Sequence, residues 1–311
     1  SCWVGLKMTE GNADSSQTVL IPRKLEIVQP EFEVPEGGLH IRWPDEPNDQ
    51  EYRLQHYKIY AALAFARANQ LNRVVIDGPR PRFGIVSTGK AYLDVLQALE
   101  DLGIDKERAG EIGIKLFKVG MSWPLEPEGI RDFARGLEEI LVVEEKRAVV
   151  ENQLKEQLYN WETDSRPLIV GKFDERGEWI LPSSGDLTPT RIARVIANRL
   201  SRFHTSPDIE QRLQFLDRQE RFLEESERTA KRLPHFCSGC PHNTSTRVPK
   251  GSRAIAGIGC HFMALGMDRD TATFTQMGGE GATWLGQAPF TGTTHVFQNL
   301  GDGTYVHSGL L

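Results

Sequence analysis

From residue 83 the chain settles into a regular alternation of apolar runs and amphipathic stretches. "FGIVSTG" (83–89), "IKLFKVG" (114–120), "EEILVVEEK" (138–146) and "RPLIVGKF" (166–173) are short and nearly continuous in apolar character, as strands buried on both faces are. Between them lie "KAYLDVLQALEDLG" (90–103), with Leu93, Leu96 and Leu99 on one helical face, then "PEGIRDFARGL" (127–137) and "AVVENQLKEQLYNW" (148–161). Strands alternating with helices of 10 to 14 residues predict βαβ units and a parallel, doubly covered sheet over roughly 80–180.

The flanks are less regular. "LEIVQP" (25–30) and "LHIRW" (39–43) are short strand candidates among Pro and Gly signals. "EYRLQHYKIYAALAFARANQ" (51–70) reads as an amphipathic helix, and "NRVVID" (72–77) as a strand. "LTPTRIARVIANRLSRF" (187–203) predicts a helix with Thr188 as N-cap and Pro189 at its first position. The charged helix that follows carries a thin apolar stripe at Ile209, Leu213, Leu216 and Leu223, the pattern of a surface or bridging helix. After residue 233 the chain becomes rich in Gly, Thr, Cys and His, a composition suited to backbone packed closely around a ligand.

Composition narrows the classes. The 311 residues suffice for about two domains, and 39% hydrophobic residues build ordinary cores. A net charge of −6 without long blocks argues against a nucleic-acid or anionic-membrane surface. No apolar run approaches the roughly 20 residues needed to span a bilayer. The first residues, "SCWVGLKMTEGN", show neither Met nor a signal pattern, so an internal fragment of a longer cytoplasmic protein is expected.

Three of the four cysteines, Cys237, Cys240 and Cys260, fall within one 24-residue window, in "CSGC" and "GIGC". A Cys-x-x-Cys pair plus a third thiol suits a soft metal centre: an iron–sulfur cluster with a further ligand elsewhere, or a structural zinc completed by His242 or His261. A thiol redox pair and three unligated buried cysteines are the other readings. Near the end, His295–Phe297 predicts a buried strand running into Gly301-Asp302-Gly303-Thr304. A carboxylate beside a Thr hydroxyl at the carboxyl edge of a sheet suits Mg²⁺ bridging to a diphosphate, although Asp-Gly is also an ordinary turn. Ser87, Thr88 and Gly89 open a helix, where they either bind a phosphate or simply cap it. Glu144, Glu145 and Lys146 read as a strand end with surface pairing.

Together, "CSGCPHNTS", "AGIGCHFMA", "TQMGGEG" and "NLGDGTYVHSGLL" resemble the thiamine diphosphate domain of the 2-oxoacid:ferredoxin oxidoreductases, in particular the fused bacterial indolepyruvate branch. Upstream stretches such as "GIVSTGKAYLDV", "VGMSWPLEPEGI" and "LVVEEKRAVVENQLKEQLYNW" fit the same family, so the resemblance covers essentially the whole chain. It implies the tail of a pyrimidine-binding domain at 1–45, and a transketolase C-terminal-like α/β domain with a lead-in helix at 46–185. A helical connector would follow at 186–233, then the start of a thiamine diphosphate-binding α/β domain at 234–311. The implied activity is oxidative decarboxylation of an aryl 2-oxoacid to an acyl-CoA, with electrons passing to ferredoxin, in a full-length homo-oligomer; the 311-residue piece alone is expected to be inactive. The implied cofactors are thiamine diphosphate, Mg²⁺ and a [4Fe-4S] cluster. Cys237, Cys240 and Cys260 would ligate the cluster and Asp302 the Mg²⁺. Gly279, Glu280, Gly281, Gly301, Asp302, Gly303 and Thr304 would hold the cofactor, with His261 facing the reaction centre. His261 as a structural hydrogen-bonder and Glu280 as a helix-start carboxylate are the plain alternatives. A non-redox thiamine enzyme, and a non-catalytic module with a structural zinc, remain as rival functions.

Overall fold

The structure is a computed structural model that describes residues 25, 26, 28, 30–227 and 233–307; Cys2 and the end of the "VHSGLL" stretch lie outside them. The chain divides into two compact units, Ser1–Gln219 and Glu220–Leu311.

The first unit is α/β. Strands β1 (Arg73–Ile76), β2 (Phe83–Thr88), β3 (Ile114–Val119), β4 (Glu139–Val143) and β5 (Leu168–Val170) form one sheet in the order β1-β3-β2-β4-β5. All pairings are parallel except β1 with β3. Helices α1 (Pro47–Arg53) and α2 (Ile59–Ala68), joined through a π-helical turn at Leu54–Lys58, precede the sheet. Helices α3 (Gly89–Asp101), α4 (Lys106–Ile112), α5 (Pro127–Ala134), α6 (Val150–Leu158), α7 (Pro189–Leu200) and α8 (Pro207–Glu227) surround it.

The apolar runs are continuous because each strand feeds two cores. Successive side chains of a strand point to opposite faces. Phe83, Ile85, Ile114, Leu116, Leu141 and Val143 enter one core, closed by Val95 and Leu99 of α3 and by Ile192 and Ile196 of α7. Val86, Phe117, Val119, Ile140 and Val142 enter the other, closed by Ile130 and Phe133 of α5 and by Leu154 and Leu158 of α6. The stripe on α8 faces the first core through Ile209, Leu213 and Leu216. Within the span 186–233, therefore, α7 is a layer of the sheet unit, its apolar face fully buried.

Three local expectations are corrected. "LHIRW" forms no strand pairing among the described residues: Ile41 and Trp43 are 71% and 98% exposed, so no burial rewards an extended strand there. The strand candidate "LEIVQP" lies partly outside the described residues. Glu144 is not a surface residue. Its carboxylate is buried and accepts the backbone N–H groups of Val149, Val150 and Glu151 at 2.9 to 3.0 Å, satisfying the exposed start of α6. The buried Lys172 ammonium donates to the Glu144 backbone carbonyl; burial pushes it below the usual lysine value, against the attraction of Glu144, Glu151 and Glu145. Ser87 and Thr88 spend their hydroxyls on the strand-end carbonyls of Val143 (2.7 Å) and Val119 (3.0 Å), so neither caps α3 nor is open to a phosphate.

The face holding α7 is anchored at one end by a buried ion network. Glu139, 1% exposed, receives Arg199 Nη2 at 2.8 Å and Arg202 Nη1 at 2.8 Å. Glu175 receives the same two guanidiniums at 2.9 and 2.7 Å. Removing one partner of a buried pair strands the other charge, so Arg199→Ala should lower unfolding stability by about 3 kcal/mol. Urea denaturation followed by circular dichroism measures this.

Candidate functional site

The second unit is held by three short parallel strands, β6 (Ala254–Ala256), β7 (Thr271–Phe274) and β8 (Phe297–Gln298), in the order β7-β6-β8. Around them lie short helical segments: α9 (His242–Ser245), 3₁₀ turns at Cys260–Gly266 and Ala288–Phe290, α10 (Ala282–Gln287) and α11 (Asp302–His307). Because the strands are parallel, their carboxyl ends share one edge. The three glycine-rich motifs leave from that edge: "GIGCH" after β6, "TQMGGEG" after β7 and "NLGDG" after β8. Ligands of open α/β sheets bind at such an edge. The run His295–Phe297 is not the buried strand expected of it; β8 is two residues long, and Phe297 is 41% exposed.

The ends of β6 and β8 meet backbone to backbone. A Cβ on Gly257 would stand 2.5 Å from Asn299 O and 2.7 Å from His261 Cε1, so only glycine fits there. Gly259, with φ +134°, then turns the chain into a region disfavoured for other residues. His261 fills the space so created. It is 4% exposed, and its Nδ1 lies 2.9 Å from Gly257 O. A carbonyl only accepts, so Nδ1 carries the proton; in the neutral ring Nε2 remains as the acceptor. Gln298 and Asn299, which the sequence reading passed over, complete the junction. Gln298 Nε2 donates to Ile255 O at 3.2 Å, while Gln298 Oε1 and Asn299 Nδ2 are buried without a partner. Buried polar atoms of this kind call for a hydrogen-bond partner such as a water, an ion or a ligand. Their only sequence signal was position, directly between a strand and a Gly-Asp-Gly turn.

Glu280 ties two of the motifs together. Thr304 Oγ1 donates to its Oε1 at 2.8 Å, and Gly278 N donates to its Oε2 at 2.6 Å. Burial works against the Glu280 charge. Its own backbone N–H, Thr304, Gly278 and the charge of His307 outweigh this and hold the carboxyl below the usual glutamate value. Gly279 and Gly281 flank it, Gly281 with φ +83°. Thr304, the expected hydroxyl neighbour of a cation, is buried and engaged by Glu280. Asp302 is exposed at the start of α11; a Cβ on Gly303 would meet nothing within 4 Å, so the backbone beside the carboxylate is open. An exposed carboxylate, bare glycine backbone and orphaned polar atoms on one edge fit a diphosphate with a hard cation.

The thiols are placed differently. Cys237 and Cys240 form a turn closed by Cys240 N to Cys237 O at 3.0 Å; Cys260 opens the 3₁₀ segment. Cys237 and Cys260 are exposed and Cys240 half-buried, all three unbridged. The rings of His242 and His261 stand edge to face at 5.5 Å, bringing the two motifs into one neighbourhood. Among the described residues, however, no group of three or more His, Cys, Asp or Glu side chains converges as a metal site. As placed, the three thiols by themselves complete neither a cluster nor a zinc site.

Fold and loop placement thus define an open, mainly parallel α/β protein whose second unit gathers its glycine-rich loops at one carboxyl edge. The chain belongs to the family of the indolepyruvate ferredoxin oxidoreductase middle domain, whose model matches residues 72–232. It is similar to indolepyruvate oxidoreductase subunit IorA of Pyrococcus horikoshii, 29% identical over 256 residues that cover 76% of this chain and 36% of that protein. The IorA subunits of Thermococcus kodakarensis (27% identical, 74% and 35%) and Methanothermobacter marburgensis (26%, 79% and 37%) match similarly. The chain therefore spans about a third of the length of these relatives. Among solved structures, a split-gene transketolase (inactive β4 tetramer) aligns with TM-score 0.29 and 18% identity over 42% of each chain. A Magnetococcus marinus 2-oxoglutarate:ferredoxin oxidoreductase with 2-oxoglutarate, coenzyme A and succinyl-CoA bound aligns with TM-score 0.29 and 17% identity, over 49% of this chain and 22% of that one. Likeness at that level adds nothing to the family assignment.

The depressed Glu280 carboxyl has a pH consequence. Its hydrogen bonds stabilise the unit fully above the unfolded value of about 4.3, and that contribution is lost as pH falls through the lower folded value. Thr304→Val should move the Glu280 titration upward, toward the ordinary glutamate value. Carbon-detected NMR of the Glu280 carboxyl follows both titrations.

Proposed function

We propose that this chain is part of a thiamine diphosphate-dependent 2-oxoacid:ferredoxin oxidoreductase. Such an enzyme oxidatively decarboxylates an aryl 2-oxoacid of the indolepyruvate type to an acyl-CoA, passes electrons to ferredoxin and works as a cytoplasmic homo-oligomer. The single observation behind this reading is the gathering of three glycine-rich loops at one carboxyl edge, in a chain of the indolepyruvate oxidoreductase family. No helix among the described residues is long and apolar enough to cross a membrane. Under the same reading, 1–45 ends a pyrimidine-binding domain, 46–185 is a transketolase C-terminal-like domain, 186–233 leads onward, and 234–311 begins the diphosphate-binding domain.

Each residue then has a task. Asp302 supplies the carboxylate for Mg²⁺, where a cation that dehydrates reluctantly takes few protein ligands. Gly301 and Gly303 keep the backbone bare so that phosphate oxygens approach it. Glu280, locked by Thr304 and Gly278, holds the neighbouring loop in register. His261, fixed through Nδ1, presents Nε2 as an acceptor toward the reaction centre. Thiamine diphosphate, when bound, supplies the carbon nucleophile and the electron sink that decarboxylation of a 2-oxoacid requires.

In the full-length enzyme Asp302→Ala should weaken Mg²⁺-dependent thiamine diphosphate binding by roughly tenfold or more, because a charged ligand is lost. Calorimetry measures this, and unchanged affinity would sink the assignment. The [4Fe-4S] proposal for Cys237, Cys240 and Cys260 has its own readout. Iron and acid-labile sulfide in anaerobically purified full-length protein support it; one zinc and no sulfide would replace it with a structural site.

A further inference from the structure

Away from the glycine-rich edge, the first unit carries a groove of about 710 Å³ lined by Arg147, Trp179, Ile180, Pro182, Ser183, Ser184 and Arg191. That volume lies within the range of small-molecule sites. No Asp or Glu lines it, in a chain whose net charge is −6. Among the described residues neither the Arg147 nor the Arg191 side chain has a hydrogen-bond or ion-pair partner, whereas Arg67, Arg82, Arg194, Arg199 and Arg202 are each paired with a carboxylate. Both arginines line the groove, and an anion bound there would pair with their guanidiniums.

The groove has a built frame. Arg147 follows Lys146, a non-glycine residue held at φ +57°, and Lys146 Nζ donates to Gly185 O at 2.6 Å, tying the turn after β4 to the far wall. Asp186, beyond Gly185, lies 3.8 Å from the Lys146 ammonium. Arg191 sits in the first turn of α7, where Thr188 Oγ1 accepts its backbone N–H at 3.3 Å and the helix dipole adds positive potential. Trp179 supplies the third element. Phe173 packs against the indole at a centroid distance of 4.1 Å, yet 60% of Trp179 stays exposed. An aromatic so braced, beside two guanidiniums and two serine hydroxyls, matches a ligand with a flat ring at one end and a multiply charged anion at the other.

We propose that this groove binds a nucleoside phosphate, its base stacked on Trp179 and its phosphates held between Arg147 and Arg191. The site is separate from the thiamine diphosphate reading and does not rest on it. The test uses ADP as probe, titrated calorimetrically into the full chain. One binding event is expected, weakening with added salt. Arg147→Ala and Arg191→Ala should each reduce ADP affinity by roughly tenfold, and Trp179→Ala should weaken ADP without changing pyrophosphate. All three side chains are exposed, so unchanged thermal melts should accompany these losses. No heat at millimolar ADP, or an ADP affinity indifferent to the double arginine substitution, overturns the proposal. Pyrophosphate binding as tightly as ADP in the unsubstituted chain overturns the nucleotide assignment.

Discussion

A strand covered on both faces has no place for a polar side chain except at its ends, and the architecture of the first unit follows from that constraint. β2 and β4 send alternate side chains into two separate cores, so every residue along them must be apolar. Polar groups are displaced to the strand termini, where they meet helix starts and loops. Ser87 and Thr88 close strand-end carbonyls, Glu144 closes the start of α6, and Glu139 receives two arginines at the opposite end of β4. Each of these groups pairs with backbone or charge that burial would otherwise leave unsatisfied. Arg147 and Arg191 lie just beyond that buried set and have no such partner.

The second unit obeys the same edge rule with far less core. Its strands are two to four residues long, and few side chains besides Ala254, Ile255 and Ala256 are fully buried. Close backbone contact takes the place of side-chain packing. Gly257 against Asn299 and Gly301 near Ile258 set the spacing of β6 and β8, and the Glu280–Thr304 hydrogen bond joins the remaining loop. Such a frame leaves polar atoms of Gln298 and Asn299 buried without a protein partner.

How far the sequence could be read follows from how local each signal is. Apart from the short α4 (Lys106–Ile112), which no reading anticipated, the strands and helices of 83–161 were legible because apolar periodicity reports burial directly. The antiparallel placement of β1 was not, since "NRVVID" looks the same in either orientation. The role of α7 depended on which face packs where, and a period alone does not say whether a helix spans a gap or closes a core. "LHIRW" had strand composition but no partner, which only tertiary structure reveals. In the second unit, the glycines announced tight backbone but not the strands between them, because two or three residues carry no period. The buried role of Glu144 was hidden by its neighbours: "EEK" looks like surface, and only the first of the three turns inward to a helix start.

The division of labour between two carboxylates sharpens the site reading. Glu280 and Asp302 both lie in glycine-flanked loops at the same edge, and composition alone does not separate them. Geometry does. Glu280 is half-buried, accepts hydrogen bonds on both oxygens and has its charge stabilised within the protein. A carboxylate so satisfied gains little from a cation and would have to release Thr304 to bind one. Asp302 is exposed, and among the described residues its carboxylate has no hydrogen-bond or ion-pair partner. Only a carboxylate whose oxygens are free can exchange water for a metal ion at small cost. The loop after β7 thus carries the satisfied acid, and the loop after β8 the one whose oxygens are open to a cation.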